Sequence, residues 1–382
     1  MSGRRVFVVV IDACGVGALP DAAAYGDAGT NTLSHLADAV GGFRLPTLQR
    51  LGLGSILALR GCPPSERPVV HGRLHALGCG KDSTAGHREL MGLTALEPAP
   101  TFPHGLPDAL LVRVERAIGR AVICNRAYNG IAAIDDFGTR HLASGRPILY
   151  TSQDSVVQLA AHVDVLEEDE LYRACRAVRE LLPDVGRVIA RPFEGTPGAF
   201  ARTLGRRDFA LAPAGPSYLD AIEQVHAVGK VWDLFAGQGF SESHGGATNT
   251  EALSRNSELI DNLDQGLVFC NLIETDQRFG HRKDVHGFHD ALREIDEELT
   301  RWLERLDEAR DLLVLCADHG CDPAAPHTDH TREYVPLLAS FAGHGGRRHD
   351  GPLADVGASA ARWLGRAGVA AAFALPGEPF VA

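Results

Sequence analysis

The sequence predicts an α/β fold in which a central, mainly parallel β-sheet is sandwiched by helices. Three short apolar segments each lead to an aspartate: VFVVVID reaches Asp12, LVFCNLIETD reaches Asp276, and DLLVLCAD reaches Asp318. Nearly continuous Val, Leu and Ile without polar alternation is typical of strands buried on both faces, as in parallel sheets. The same chain also contains amphipathic helical patterns, which can cover the two faces of such a sheet.

Two of these helical patterns are clear. Residues 291–309 read ALREIDEELTRWLERLDEA, and residues 31–41 read NTLSHLADAVG, a shorter pattern closed by a glycine. In the longer one the apolar side chains repeat at helical spacing: Leu292, Ile295, Leu299, Trp302, Leu303 and Leu306. One face of each segment is therefore expected to pack on the sheet.

Changes in composition predict a second domain inserted into the first. Proline- and glycine-rich segments run from Glu97 to Pro107 and from Ala212 to Asp220. Between them lie separate strand and helix patterns, including RPILYTSQD, EDELYRACRAVRELL and GRVIARPF. Domain boundaries tend to fall in such segments. We expect a discontinuous core of residues 1–97 and 213–382 and an inserted domain of mixed α/β character over residues 98–212.

Composition excludes some partners and favours others. The 382 residues carry a formal net charge of −12 and no run of lysines or arginines longer than a pair, so a nucleic-acid partner is not expected. No apolar run reaches the 18 or so residues that a membrane span needs, and the first residues read as a buried strand. The eight cysteines form no CxxC pair, which predicts reduced thiols and a cytoplasmic location. A small anionic substrate is compatible with this composition, and the oligomeric state stays open.

Six carboxylate and imidazole side chains at or after the predicted strand ends are candidate metal ligands. They are Asp12, Asp276, His281, Asp318, His319 and His330. Ligands in open α/β sheets bind beyond the carboxyl ends of the strands, so these side chains are expected to converge. Six such donors suffice for two divalent ions, and their chemistry suits Mn²⁺ or Zn²⁺ better than Ca²⁺.

The alternative interpretation of these six residues is a set of structural ion pairs and helix caps. Three further residues of the same segment, Asp322, His327 and Asp329, fit that structural interpretation equally well and are not included among the ligands. Two metal ions about 3.5–4 Å apart favour the in-line displacement of phosphoryl transfer. This chemistry also requires a nucleophile.

The segment CGKDSTAGHREL offers hydroxyl nucleophiles. Ser83 and Thr84 precede a pattern that can begin a helix. A helix N-terminus favours an incoming anion, because its backbone N–H groups lack partners within the helix. Equally, one of these hydroxyls could simply cap the helix, with Glu89 assisting. The local sequence leaves both interpretations open.

Eight segments, in order along nearly the whole chain, resemble phosphopentomutases of the prokaryotic type, in the alkaline phosphatase superfamily. They are VVIDACGVGALPDA, GDAGTNTLSHLA, LPTLQRLGLG, GKDSTAGHRELMGL, YTSQDSVVQLAAH, GRVIARPFEGTPG, NLIETDQRFGHRKD and ADHGCDPAAPHTDHTREYVPLL. The resemblance implies an alkaline-phosphatase-like core that binds two Mn²⁺ ions, with an inserted cap domain. It also implies exchange between ribose 1-phosphate, or its deoxy analogue, and the 5-phosphate. A sugar bisphosphate such as glucose 1,6-bisphosphate would prime the enzyme.

The resemblance also implies roles for single residues. One ion would be held by Asp12, Asp318, His319 and the nucleophile, and the other by Asp276, His281 and His330. The nucleophile would be Ser83, where the family usually has threonine, with Thr84 as the second candidate. Asp154, Arg191, Arg206 and Lys230 would bind the substrate.

Two departures from the family pattern bear on the substrate. Arg88 stands where tryptophan is usual, and residues 125–132 read NRAYNGIA where a PASGT-like segment is usual. The alternative function is therefore a metal-dependent phosphohydrolase, or a mutase acting on a different phosphosugar. A non-catalytic protein with a decayed site is disfavoured, because all six metal-ligand candidates and a hydroxyl are present.

Overall fold

The computed structural model describes residues 3–152 and 155–382. Asp154, an expected substrate-binding residue, lies outside the described residues. The chain divides into two compact units, one formed by Met1–Glu97 with Pro213–Ala382 and the other by Pro98–Ala212. None of the described helices combines the length and apolar character needed to cross a bilayer.

The strands are numbered in chain order through both units. They are β1 Arg5–Ile11, β2 Val70–His75, β3 Ile123–Ala127, β4 Ile148–Thr151, β5 Val156–His162, β6 Arg187–Thr196, β7 Ala199–Arg202, β8 Arg207–Ala210, β9 Val225–Val228, β10 Glu242–Ser243, β11 Gly266–Leu272, β12 Asp311–Cys316, β13 Val335–Ser340 and β14 Gly351–Pro352.

The α-helices follow the same numbering. They are α1 Thr32–Ala39, α2 Pro46–Leu51, α3 Leu53–Ile56, α4 Ser83–Leu90, α5 Asp108–Ile118, α6 Gly130–Ser144, α7 Glu168–Leu181, α8 Val231–Leu234, α9 Asn249–Asn262, α10 Val285–Arg305, α11 Asp355–Trp363 and α12 Ala367–Ala371. Short 3₁₀ turns span Ala22–Tyr25, Tyr218–Ala221 and Gly280–Arg282, and a π-helical turn spans Thr275–Phe279.

The first unit is built on an eight-stranded sheet in the order β10-β9-β11-β1-β12-β13-β2-β14. Its three central strands are those that the apolar segments predict. Strand β1 pairs in parallel with β11 on one side and with β12 on the other. Strand β13 runs antiparallel to both β12 and β2. The predicted fold class, a mainly parallel sheet with covering helices, is confirmed.

The register brings the carboxyl ends of the three central strands to one edge. Ile11 at the end of β1 lies opposite Leu272 at the end of β11, and Val10 lies opposite Cys316 at the end of β12. All residues of these strands are buried. The polar residues that follow the strands therefore emerge close together at this edge.

Helix α10 covers most of the long predicted helical pattern: it begins earlier, at Val285, and ends earlier, at Arg305. The carboxylate of Asp284 accepts a hydrogen bond from the Gly287 backbone N–H at 2.9 Å and thereby caps the helix start. Ile295, Leu299 and Trp302 lie on the buried face of the helix, as their spacing predicts.

The second unit has its own six-stranded sheet. Its order is β3-β4-β5-β6-β7, and β8 pairs with β6. Strand β5 is buried along its whole length, and neighbouring residues belong to different apolar clusters. Leu159 packs in the cluster with α5 and α7, whereas Ala160 packs in the cluster with α6. This unit therefore has apolar packing on both faces of its sheet.

Candidate active site

The end of β1 turns directly into the candidate site. The Asp12 backbone N–H donates to the Leu272 carbonyl at 3.2 Å, which extends the parallel pairing by one residue. The next residue, Ala13, has a φ of 63°, and its N–H donates to Asp318 Oδ1 at 3.3 Å. A left-handed conformation is costly for alanine and persists where the surroundings impose it, commonly at functional sites.

The first group of ligand atoms consists of Asp12, Asp318 and His319. All three residues are buried, and one donor atom from each lies within 4.8 Å of the others. His319 Nε2 lies 3.4 Å from Asp12 Oδ1 and 3.3 Å from Asp318 Oδ2. The predicted members of one metal site thus lie side by side.

The second group forms around Asp276, which lies on the π-helical turn after β11. His281 Nε2 lies 3.4 Å from Asp276 Oδ2, and His330 Nε2 lies 3.5 Å from Asp276 Oδ1. His281 Nδ1 donates to the Thr328 carbonyl at 2.6 Å, which holds Nε2 towards the carboxylate. The rings of His319 and His330 have centroids 4.1 Å apart. The two groups therefore adjoin.

Cys321 also belongs to this site, although the sequence pattern does not indicate it. A donor atom of Cys321 lies within 4.8 Å of those of Asp276 and His281. The thiol is buried, and burial raises its pKa. A buried cysteine is usually a small apolar residue, so the sequence carried no signal beyond the closeness of Cys321 to His319.

The electrostatics of the site suit a divalent cation. Among the described residues, Asp12 Oδ1 and Asp276 Oδ1 are buried and make no hydrogen bond. Burial, and then the charges of Asp318 and Asp276, raise the pKa of Asp12 well above its usual value. Burial lowers the pKa of His319, which keeps its imidazole neutral and able to bind a metal. Buried carboxylates that repel one another, with oxygens left without a hydrogen bond on Asp12 and Asp276, fit a set of metal ligands.

Helix α4 places Ser83 beside the first group. The Asp82 carboxylate caps this helix by accepting hydrogen bonds from the N–H groups of Thr84 at 2.9 Å and Ala85 at 3.2 Å. The cap is therefore Asp82 and neither the Ser83 nor the Thr84 hydroxyl, so the alternative in which one of these hydroxyls caps the helix is wrong. Ser83 Oγ lies 3.0 Å from His319 Nε2. Glu89, expected to assist the cap, instead accepts hydrogen bonds from the N–H groups of Leu77 and Gly78.

His87 connects α4 to the metal-ligand candidates. Its ring is fully buried, and Nδ1 lies 2.8 Å from the Ser83 carbonyl and 3.0 Å from Asp318 Oδ2. At Gly86, a Cβ atom would collide with the backbone of Asp318. The glycine lets the helix approach the strand end closely enough for Ser83 to reach His319.

Two of the expected substrate-binding residues lie in the second unit. Arg191 Nε donates to Gln158 Oε1 at 3.1 Å, and burial, followed by the charge of Arg206, lowers the pKa of Arg191 to about 10. Arg206 itself makes two hydrogen bonds of 2.7 Å to the carboxylate of Asp208. Its Nε and one terminal nitrogen are thus engaged within the unit.

The third, Lys230, lies in the first unit. Its Nζ donates to Oε1 of Gln277, the neighbour of Asp276, at 2.6 Å. Arg88, which departs from the family pattern, donates to the Leu234 carbonyl through Nε at 3.1 Å and a terminal nitrogen at 2.9 Å. Both cations are thus tied to segments near the candidate site.

These features are those of a metal-dependent α/β enzyme: carboxylates and histidines converge at one edge of a parallel sheet, with a serine beside them. A family model described as "Metalloenzyme superfamily" matches residues 218–366. The phosphopentomutase of Caldanaerobacter subterraneus subsp. tengcongensis is 47% identical over 343 residues, 88% of this chain and 87% of that protein. The phosphopentomutase of Anaeromyxobacter dehalogenans strain 2CP-C is 45% identical over 372 residues, 95% of each chain.

Among solved structures, alkaline phosphatase from the Antarctic bacterium TAB5 matches 95% of this chain and 98% of its own, at 8% identity and a TM-score of 0.40. The sequence relatives carry the assignment, because their identity is high and spans most of the chain. This chain belongs to the phosphopentomutase family and is a metal-dependent phosphomutase.

Proposed function

We propose that this enzyme interconverts ribose 1-phosphate and ribose 5-phosphate, and the corresponding deoxyribose phosphates, through a phosphorylated Ser83. The observation that carries the proposal is the 3.0 Å separation between Ser83 Oγ and His319 Nε2. Asp82, and not Ser83, caps the N-terminus of α4. The hydroxyl therefore remains available for phosphoryl transfer beside the buried ligand groups.

We propose that each chain binds two divalent metal ions and that these are Mn²⁺ in the cell. Asp12, Asp318, His319 and the nucleophile would hold one, and Asp276, His281 and His330 the other. Bound there, such ions would lower the pKa of the serine hydroxyl and neutralise the oxygens of the transferring phosphoryl group. The unpartnered buried carboxylate oxygens support this assignment.

The proposed reaction is an intermolecular exchange. Phosphorylated Ser83 passes its phosphoryl group to the free hydroxyl of a pentose monophosphate, which loses its proton and becomes a bisphosphate. The serine then accepts the other phosphate of that bisphosphate and releases the isomeric monophosphate. A sugar bisphosphate of the glucose 1,6-bisphosphate type would supply the first phosphoryl group.

Positively charged side chains are proposed to bind the substrate. Arg191 and Arg206 of the second unit would meet an anionic group, as their mutual repulsion favours a nearby negative charge. An arginine fork suits a phosphate because it can donate two hydrogen bonds at once. Lys230 of the first unit is proposed to contribute as well, and Asp154 to bind a sugar hydroxyl. We also place the reaction in the cytoplasm, because all eight cysteines, each within the described residues, are free thiols.

Phosphorus NMR tests the proposed reaction. The enzyme would be incubated with Mn²⁺, α-ribose 1-phosphate and a trace of glucose 1,6-bisphosphate. We expect ribose 5-phosphate to form as the product, without release of free phosphate. Inorganic phosphate as the main product would instead show a phosphohydrolase. No reaction by the metal-loaded enzyme would indicate another sugar, and Arg88 and residues 125–132 would be examined first.

The nucleophile is tested by labelling with glucose 1,6-bisphosphate that carries radioactive phosphate. Ser83→Ala should remove both the protein-bound label and the mutase activity, whereas Thr84→Ala should retain the label. Label lost in Thr84→Ala and kept in Ser83→Ala would assign the nucleophile to Thr84.

A further inference from the structure

A second cluster of metal-binding side chains lies at the edge of the first unit's sheet. His226 is on β9, and Glu242 begins the short edge strand β10. The parallel register places Glu242 opposite His226. His244 follows β10 directly, and its ring stacks on that of His226, with centroids 5.2 Å apart. The pairing thus gathers two imidazoles and a carboxylate.

The donor atoms of this cluster are already close together. His226 Nδ1 lies 2.9 Å from His244 Nε2, and Glu242 Oε2 lies 3.6 Å from His226 Nδ1. One donor atom from each residue lies within 4.8 Å of the other two. In a tetrahedral zinc site, two imidazole nitrogens about 2.0–2.1 Å from the metal stand about 3.4 Å apart. The histidines need to separate by only about half an ångström to reach that spacing.

The surroundings hold the cluster in place and leave it open to solvent. The side chains of His226 and His244 are 13% and 18% exposed, and that of Glu242 is 60% exposed. The His244 backbone N–H donates to the Ala227 carbonyl at 2.9 Å, which fixes the segment after β10 against β9. Burial, followed by the neighbouring His244, lowers the pKa of His226, so this ring is neutral near pH 7.

We propose that His226, Glu242 and His244 bind a first-row transition-metal ion, with Zn²⁺ the best match, at a site separate from the active site. Two imidazoles and one carboxylate make a three-ligand set that suits zinc, and water can occupy the exposed fourth position. None of the three is among the six active-site ligand candidates. The bound ion would join the two-residue strand β10 to β9 and stabilise this sheet edge.

The test counts zinc bound to the full-length protein. Wild type, His244→Gln and a control, His104→Gln, would be dialysed against micromolar free Zn²⁺ and analysed for metal by mass spectrometry. His104 is exposed in the second unit, so its replacement changes a surface histidine outside the cluster. Wild type and the control should each hold one more equivalent of Zn²⁺ than His244→Gln. Because only the difference between proteins is used, the result does not depend on how many ions the active site holds.

Glu242→Gln provides a second variant, because an exposed side chain is replaced by one of similar shape. Glu242→Gln should weaken zinc binding about tenfold or more. If His244→Gln does not fold, the zinc content of Glu242→Gln provides the test. Added Zn²⁺ should raise the thermal unfolding midpoint of wild type more than that of either cluster variant. With Mn²⁺ in the active site, both variants should retain wild-type turnover. Equal zinc content in wild type and folded cluster variants would overturn the proposal.

Discussion

Two groups of acids and histidines in the first unit have similar composition but different surroundings. In the candidate active site, Asp12 and Asp276 each keep a buried carboxylate oxygen that has no hydrogen-bond partner among the described residues. Nearby in sequence, Asp27 is fully buried but accepts hydrogen bonds from Lys81 Nζ at 2.9 Å and from His327 Nε2 at 2.9 Å. The Asp27 carboxylate is therefore already bonded to Lys81 and His327, whereas the candidate active site leaves carboxylate oxygens for a metal ion.

The comparison shows that the partners of a residue, rather than its type, separate candidate ligands from structural residues. His319 and His327 come from the same loop after β12, yet His319 contacts the carboxylates of Asp12 and Asp318, whereas His327 bonds to Asp27. Asp322 of that loop accepts hydrogen bonds from His35 Nδ1 and the Asn31 N–H, both at 2.7 Å. A buried charge without such partners is costly, and a metal ion can remove that cost.

Replacing the two loop histidines tests this distinction most strongly. His319→Gln should lower kcat/KM for ribose 1-phosphate by roughly 10³-fold and reduce bound Mn²⁺, because His319 contacts both Asp12 and Ser83. His327→Gln should stay close to wild type in both respects, since His327 bonds to Asp27. Steady-state kinetics and metal analysis measure the two effects. Similar losses of kcat/KM and of bound Mn²⁺ in both variants would show that the two histidines do not differ in this way.

Replacing Asp27 and replacing Asp12 by asparagine should change the free energy of unfolding in opposite directions. In EDTA, Asp27→Asn should lower the free energy of unfolding by ~1–3 kcal/mol, because Lys81 and His327 lose a charged partner. Asp12→Asn should raise it, since burial and the nearby Asp318 and Asp276 disfavour the ionised carboxylate, as its raised pKa indicates.

Tryptophan fluorescence during thermal unfolding can measure both changes, because the three tryptophans, Trp232, Trp302 and Trp363, all lie in the first unit. Excess Mn²⁺ provides the control, since it should reverse the advantage of Asp12→Asn. A lower midpoint for Asp12→Asn in EDTA would contradict the view that Asp12 is poised for a cation.

A smaller effect is expected from His141, a buried histidine of the second unit with both ring nitrogens bonded. Nδ1 lies 2.7 Å from the Arg146 carbonyl and so donates to it, and Nε2 accepts the His162 N–H at 2.8 Å. Protonation would break the second bond. Burial, the largest cause, lowers the pKa of His141 below 6.5. Its contribution to stability is therefore present above pH 6.5 and is lost as pH falls through the lower folded-state pKa.

The measurement is calorimetry of wild type and His141→Gln from pH 7.5 to pH 5. Wild type should unfold at the higher temperature at pH 7.5, and the difference should shrink towards pH 5. A difference that is constant or grows on acidification would show that His141 is not held neutral.

The sequence predicts those features that follow from local pattern. Continuous apolar runs identify buried strands, and the polar residues after them identify one sheet edge, so Asp12, Asp276 and Asp318 could be named without coordinates. The choice between nucleophile and cap for Ser83 was left open, although the sequence held a signal for it. Asp82, directly before Ser83, is itself a preferred N-cap residue, and it caps α4 in the structure.

Features that depend on distant partners could not be predicted. Asp27 meets His327 across 300 positions of the chain. The closeness of Cys321 to His281 depends on how the loop after β12 folds back, and no periodic pattern encodes that path.

Anomalous X-ray diffraction from crystals of the Mn²⁺-loaded protein tests the central claim most directly. We expect two strong peaks per chain, one within bonding distance of Asp12, Asp318 and His319 and the other within bonding distance of Asp276, His281 and His330. A manganese peak against Asp27 and His327, or no peak at the carboxylates that lack hydrogen-bond partners, would contradict it.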